Sequence, residues 1–118
     1  MKIAWNTILV DEMETSFQFY VDVLGLQVAR EVTQENLHLV FLKDEDGICV
    51  ELIKSDSQIT KGNNVGFILQ VDDMHAKKKE LEHKGVETGE LISPAPGVNF
   101  FHVSDPNGVT IQIQEKAK

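Results

Sequence analysis

Hydrophobic and polar residues alternate along the segment VSDPNGVTIQIQ, which spans residues 103–114. Its aliphatic side chains take every second position: Val109, Ile111 and Ile113. The positions between them are polar: Thr110, Gln112 and Gln114. A period of two predicts a β-strand with one face in the core. The polar face then meets either bulk water or a lined cavity, and the difference matters for function.

The same pattern occurs in the first half of the chain. ILVDEM returns as LQVDDM, and LKDEDGICVEL returns as VSDPNGVTIQI, both at an offset of 61 residues, the separation of Asp11 and Asp72. Two separate blocks that share one offset indicate an internal duplication. We therefore expect a single domain over 1–118, made of repeats near 1–58 and 59–118.

Each repeat predicts a strand, a helix and three further strands. The first strands, AWNTILV and VGFILQV, end at Asp11 and Asp72, whose carboxylates suit helix N-caps. Gly25 and Gly85 are natural helix ends. The later strands are predicted at LQVARE, NLHLVFLK and GICVELIK, and at GVETGEL, VNFFHVS and VTIQIQ. SPAPG, residues 93–97, is predicted to be a loop.

Both predicted hairpins turn on an Asp-x-x-Gly tetrad, DEDG and DPNG. Pro at the second place and Gly at the fourth favour a type I turn followed by a left-handed glycine. The resulting pairing sets His102 opposite Gln112 and Phe100 opposite Gln114. The same register in the first repeat sets Phe41 opposite Glu51.

The composition limits the classes of binding partner. Eleven basic and nineteen acidic side chains give a net charge of −8, which argues against nucleic acid and against an anionic membrane surface as a partner. The charge favours neutral or cationic small ligands. The single cysteine, Cys49, predicts neither an internal disulfide nor a thiolate metal site, and its apolar neighbours predict a buried thiol. No signal peptide or membrane span is evident, which predicts a cytoplasmic protein.

The repeat carries residues that resemble a known motif set: Val10, Glu12, Ser16, Phe19, Tyr20, Leu24 and Gly25, then Asp105, Pro106 and Gly108. With the duplicated β-α-β-β-β unit, these resemble the vicinal oxygen chelate superfamily. That superfamily includes glyoxalase I, extradiol dioxygenases, fosfomycin-modifying enzymes and bleomycin-resistance proteins. The resemblance implies an α+β fold, in which two tandem βαβββ repeats form a curved eight-strand half-barrel. It places the helices on the convex side and the ligand site on the concave side.

Metal-using members of this superfamily place up to four ligands on the first and last strands of the repeats. By motif, those positions correspond here to Trp5, Glu51, Gly66 and Gln112. One carboxylate and one neutral amide fall short of the roughly three protein ligands that a catalytic metal needs. The expectation is therefore that no metal and no other cofactor is used.

The strand alternation then selects the residues expected to line a ligand cleft: Trp5, Thr7, Glu51, Ile68, Gln70, Phe100, His102, Thr110 and Gln112. Three of them have two interpretations. Trp5 either stacks on a planar ligand, or it fills the space of the missing metal or contacts another subunit. Glu51 is either a general base or a hydrogen-bonded remnant, and His102 is either a proton donor or a structural histidine.

The resulting functional hypothesis is a metal-independent protein that sequesters a small organic ligand, possibly cationic or planar, as bleomycin-resistance proteins do. The alternative is a glyoxalase-like lyase or isomerase that uses Glu51 as base and His102 as acid. A metalloenzyme with relocated ligands, Glu51 and His102 among them, is the third and least favoured hypothesis. The resemblance also implies a homodimer.

Overall fold

The computed structural model describes residue 1 and residues 3–63 and 65–116. The chain divides into two compact units, Met1–Thr60 and Lys61–Lys118. Each unit contains a strand, a helix and three strands, and its four strands form one sheet. The predicted α+β class with two tandem βαβββ-like repeats is confirmed, and the strands belong to two four-stranded sheets rather than one closed barrel.

The first unit begins with β1 and a helix that changes its winding. Its elements are β1 (Asn6–Leu9), α1 (Met13–Phe17) with a π-helical continuation (Gln18–Val23), β2 (Gln27–Gln34), β3 (Leu37–Asp44) and β4 (Gly47–Ser55). The sheet order is β1-β4-β3-β2, in which β1 and β4 run parallel. In this order, strand β2 lies at one edge of the sheet. Helix α1 packs against β4.

The second unit repeats this topology. Its elements are β5 (Gly66–Val71), α2 (Met74–His83), β6 (Ile92–Ala95), β7 (Val98–Ser104) and β8 (Thr110–Glu115). The order is β5-β8-β7-β6, and β5 runs parallel to β8.

The strand predicted at GVETGEL is wrong. The loop predicted at SPAPG is wrong for its first three residues, which belong to β6, whereas Pro96 and Gly97 form a turn. Residues 86–91 form no strand, and β6 lies further along, at Ile92–Ala95. Gly85 ends the helix with a φ of 82°, and the next stretch makes a backbone bond to β7 through the Gly89 N–H, which donates to the His102 carbonyl at 2.9 Å. β6 tolerates Pro94 because it is a short edge strand, where a missing N–H costs little.

The predicted helix caps are displaced by one residue. The N-cap positions are Glu12 and Asp73, not Asp11 and Asp72. Asp73 Oδ1 accepts the N–H of Ala76 at 3.0 Å, as a capping carboxylate should. The Glu12 side chain makes no capping bond.

The two hairpins reach the same register through different turns. In the second unit the Gly108 N–H donates to the Asp105 carbonyl at 3.2 Å, and Gly108 has a φ of 89°. This is the predicted type I turn with a left-handed glycine.

In the first unit Asp44 lies opposite Gly47 across a two-residue turn, which by itself would shift every pair by one position. A bulge in which Cys49 has no partner restores the predicted pairing of Phe41 with Glu51.

One face of each sheet forms the core. In the first unit the residues of this face are 0–8% exposed: Ile8, Val10, Val40, Leu42, Val50 and Leu52. In the second unit its most buried members are Phe101, Val103, Ile111 and Ile113. Within the described residues, no helix has the length and apolar character to cross a membrane. The opposite face of each sheet, less deeply buried, carries the candidate site residues.

Candidate functional site

A row of side chains crosses the open face of the first sheet. The strand register places four residues side by side, one on each strand: Thr7, Glu51, Phe41 and Arg30. Directly paired residues of a sheet point to the same face. The row therefore combines a hydroxyl, a carboxylate, an aromatic ring and a guanidinium on one surface.

Trp5 lies just before β1 and reaches this row. Its indole Nε1–H donates to Oε1 of Glu51 at 2.9 Å, and its ring contacts Phe41 edge-on, with centroids 5.7 Å apart. The indole remains 41% exposed, whereas Phe41 is only 4% exposed. The structure thus joins two of the residues that the sequence analysis selected, Trp5 and Glu51, in one hydrogen bond.

Arg30 covers the Phe41 ring from the neighbouring strand. Its Cζ lies 4.4 Å from the ring centroid, a distance at which the guanidinium charge is attracted to the π-face. Arg30 is not among the site residues predicted from the sequence. The sequence signal for its position is the pair Glu35–Asn36, which indicates a turn because Asn tolerates the left-handed conformation. Asn36 adopts this conformation here, with a φ of 63°. A two-residue turn there sets Arg30 opposite Phe41.

The open face of the second sheet carries a chain of hydrogen bonds. His102 Nε2 lies 3.2 Å from Gln112 Oε1, and Gln112 Nε2 donates to Gln114 Oε1 at 2.8 Å. Phe100 contacts the His102 ring edge-on, with centroids 5.4 Å apart. The structure therefore brings together Phe100, His102 and Gln112, and it adds Gln114, which the sequence analysis left out of the site.

The other predicted lining residues take their places by register. Ile68, which is 56% exposed, lies opposite Gln112, and Gln70 lies opposite Gln114. Thr110 lies opposite Gly66. Glu51 and His102, the two proposed catalytic groups, belong to different units.

Cys49 stands at the bulge of β4 and is half-buried rather than fully buried. Its Sγ lies 3.7 Å from the carbonyl oxygen of Leu42. Burial, followed by the negative charge of Asp44, raises the pKa of the Cys49 thiol. A raised pKa keeps the sulfur protonated and therefore a poor nucleophile or metal ligand at neutral pH.

The residues at the four metal positions do not fit a metal ion. Glu51 already accepts the Trp5 indole proton, and the Gln112 amide is engaged on both sides by His102 and Gln114. At Gly66 any Cβ would overlap the carbonyl oxygen of Thr110, so the backbone leaves no room for a ligating side chain. Across the part of the chain that the structure describes, no three His, Cys, Asp or Glu side chains are grouped to hold a metal.

Comparisons with known proteins agree with the fold. The chain is 30% identical to the uncharacterized protein YwbC of Bacillus subtilis, with 98% of each chain covered. It is 29% identical to a lactoylglutathione lyase of Haemophilus influenzae, over 98% of this chain and 93% of that one.

Solved structures match with similar completeness. A glyoxalase family protein from Enterococcus faecalis superposes with a TM-score of 0.82 at 22% identity, covering 97% of both chains. The antibiotic binding protein TnmS3 from Streptomyces superposes with a TM-score of 0.77 at 19% identity, covering 99% of this chain and 98% of that one. At these identities the likeness establishes the fold alone.

The model of one protein family matches residues 2–113, nearly the whole chain. Together with the duplicated sheet-and-helix unit, this match establishes that the chain belongs to the Glyoxalase/Bleomycin resistance protein/Dioxygenase superfamily.

Proposed function

We propose that this protein binds a small organic molecule without a metal ion and sequesters it rather than transforming it. The observation that carries the proposal is the hydrogen bond between Trp5 Nε1 and Glu51 Oε1. It joins two positions at which metal-using relatives place ligands, and it converts them into an indole–carboxylate pair. Such a pair recognises organic ligands by stacking and by charge.

The chemistry of the pair favours a planar, cationic ligand. The partly exposed indole of Trp5 offers a flat apolar surface with a negative π-face, which attracts cations. Glu51 supplies a carboxylate beside it, and the net charge of −8 attracts cations from a distance. Among proteins of this fold, TnmS3 is described as an antibiotic binding protein, so ligand binding is within the reach of the architecture.

Binding can be measured directly at this pair because Trp5 is the only tryptophan. We expect phenylguanidine, a planar aromatic cation, to change the Trp5 fluorescence saturably and to raise the melting temperature. Glu51→Gln keeps an amide oxygen for the indole but removes the charge, so binding should weaken about tenfold. Glu45→Gln, which removes an exposed charge from the β3–β4 turn, is the matched control and should leave the affinity unchanged.

Absence of saturable binding by planar cations, or an equal loss of affinity in both variants, would contradict the proposal.

A second test concerns the metal. We expect protein purified without added metal to contain far less than one equivalent of Zn, Ni, Mn or Fe by elemental analysis. Stoichiometric metal that Glu51→Gln releases would refute the metal-independent function.

The alternative function is a glyoxalase-like lyase or isomerase. Its support is the similarity to two proteins named as lactoylglutathione lyases, one of them given only as probable, at 29% and 27% identity. In this alternative Glu51 acts as the base and His102 as the acid, and the rate has a bell-shaped pH profile. Assays for formation or breakdown of lactoylglutathione, with and without added divalent metal, separate the two functions. Glu51→Gln abolishes turnover if the protein is an enzyme and changes only affinity if it is a binder.

Homodimer formation and a cytoplasmic location stay predictions. Light scattering across a concentration series tests the first, since a dimer gives twice the chain mass of 13.2 kDa. A dimer would be consistent with the superfamily resemblance and would not by itself distinguish a binder from an enzyme.

A further inference from the structure

Arg30 is the only arginine of the chain and lies in the middle of β2. Because β2 is an edge strand, no further strand of its sheet lies beyond it. The Arg30 side chain is exposed, yet its guanidinium is held 4.4 Å from the centre of the buried Phe41 ring. Contact with a buried ring restrains the guanidinium while its N–H groups stay available.

The N–H groups of the Arg30 guanidinium make no polar contact with the described residues of the first unit. Among the described residues, no carboxylate forms an ion pair with it and no acceptor forms a hydrogen bond with its side chain. A guanidinium carries five N–H donors in a rigid fork, and the fork matches the two oxygens of a carboxylate. An unpaired fork on the same face of the sheet as the indole–carboxylate pair is suited to an acidic group.

We propose that Arg30 binds an acidic group of the ligand and thereby selects zwitterions over simple cations. This inference rests on the proposed function, because it assigns the cationic end of the same ligand to Glu51. Phe41 lies directly between the two charges in the strand register. Neighbouring strands lie about 4.8 Å apart, so the Cα atoms of Glu51 and Arg30 are separated by about 10 Å.

The arrangement defines the ligand class. The ligand is a flat molecule with a basic group at one end and a carboxylate, or another oxyanion, at the other. Its planar middle lies along the Trp5 and Phe41 side of the sheet, where the partly exposed indole ring provides a flat contact surface. Both ends meet an opposite charge, which a simple cation does at one end only.

Three related probes test the inference: 4-guanidinobenzoate carries both charges, phenylguanidine carries only the cation, and benzoate carries only the acid. In a ¹H–¹⁵N spectrum the Arg30 Nε–H and the Trp5 Nε1–H each give a single signal of their type, since each residue occurs once. We expect 4-guanidinobenzoate to shift both signals and phenylguanidine to shift mainly that of Trp5.

Affinity measured by the same titrations provides the second readout. Arg30→Gln should lower the affinity for 4-guanidinobenzoate about tenfold and change the affinity for phenylguanidine by less than about twofold. Arg30→Lys keeps the charge without the planar fork, so its affinity for 4-guanidinobenzoate should lie between those of wild type and Arg30→Gln. Lys43→Gln is the matched control, because it removes one exposed cation from the same sheet and should leave both affinities unchanged.

The outcomes separate the inference from the function on which it rests. If phenylguanidine binds but the added carboxylate gives no gain in affinity, the role of Arg30 is refuted and the proposed function stands. The same holds if Arg30→Gln weakens both probes equally, because the loss is then of packing on Phe41. If no probe shifts the Trp5 signal, both proposals are refuted.

Discussion

Phe41 and His102 occupy equivalent positions in the two units, yet their surroundings differ. They are separated by the repeat offset of 61 residues, and each is paired with the polar residue of its unit's last strand, Glu51 or Gln112. Phe41 is 4% exposed beneath Trp5 and Arg30. His102 is only half-buried. One backbone register therefore supports two different surfaces.

The difference comes from the flanking positions. In the first unit these hold Trp5 and Arg30, whose large side chains converge on Phe41. In the second unit the residue at the Trp5 position is Gly66, and the residue next to His102 on the far side is Gly89. Glycine contributes no side chain, so the His102 ring is covered from neither side by these two positions.

The two units share the residue pattern that determines the backbone, and they differ in the side chains that determine the chemistry of the open face. Pairing across the hairpins and burial of the helix-facing side recur in both units. The open face is charged and aromatic in the first unit, and it carries a hydrogen-bonded chain of imidazole and amide groups in the second. The two faces therefore present different chemistry on the same backbone arrangement.

The largest expected difference between the units lies in their hairpin turns. Asp105 is 5% exposed, and its Oδ1 accepts the N–H groups of Asn107 and Val109, both at 2.8 Å. Asp44 is exposed, and the one hydrogen bond that its Oδ1 accepts among the described residues comes from the Asp46 N–H at 2.8 Å. We expect Asp105→Ala to lower the free energy of unfolding by about 2–4 kcal/mol and Asp44→Ala by less than about 1 kcal/mol, measured by urea denaturation.

Asp105→Asn is the control for this comparison. The amide oxygen can still accept the two backbone N–H groups, so more than half of the lost stability should return. Equal losses in Asp105→Ala and Asp44→Ala would show that the two turns contribute alike, and the contrast drawn between them would be wrong.

The flanking glycines give the next largest effect. A Cβ at Gly66 would overlap the Thr110 carbonyl oxygen, whereas at Gly89 the nearest atom, the His102 carbonyl oxygen, lies 3.3 Å away. Gly66→Ala should therefore destabilise the protein by about 1–3 kcal/mol through overpacking. Gly89→Ala should stay within about 1 kcal/mol of wild type, because the restriction of the unfolded chain offsets the tight contact.

Thermal and urea denaturation of the two alanine variants distinguish these outcomes. A neutral Gly66→Ala would mean that β5 is free to move away from β8 at this point. It would also remove the steric reason why a metal ligand cannot be introduced at position 66.

Much of the fold followed from the sequence because its determinants are local or periodic. Alternation identified the buried stripes of β4 and β8, and the DPNG turn fixed the pairing of His102 with Gln112. The strand at GVETGEL was assigned as the counterpart of a strand in the first repeat, and it failed because pairing with β7 begins only at Ile92. The first hairpin gave the right pairing through a different turn, since the bulge at Cys49 compensates.

The site was less predictable because its contacts join distant strands. The bond between Trp5 and Glu51 spans 46 residues along the chain, and spacing alone does not reveal whether two side chains on one face meet. Arg30 was missed because its contact with Phe41 depends on the β2–β3 register, and the Glu-Asn turn that sets this register is a weak sequence signal. Gln114 was missed because its side chain matters only through Gln112.

The smallest expected effect concerns the second unit's hydrogen-bonded chain and the tautomer of His102. Gln112 uses its Nε2 to donate to Gln114, so its Oε1 faces His102 Nε2, an arrangement that favours a proton on that ring nitrogen. We expect neutral His102 to be mainly the Nε2–H tautomer in long-range ¹H–¹⁵N spectra. Gln112→Leu removes the acceptor and should mix the tautomers, with a loss of stability below about 1.5 kcal/mol. Thr110→Val, on the same strand, should leave the tautomer unchanged.

A dominant Nδ1–H tautomer in the wild type would mean that the amide chain runs in the opposite direction. His102 Nε2 would then accept a hydrogen bond from the Gln112 amide, and the donor and acceptor roles assigned to the open face of the second unit would be wrong.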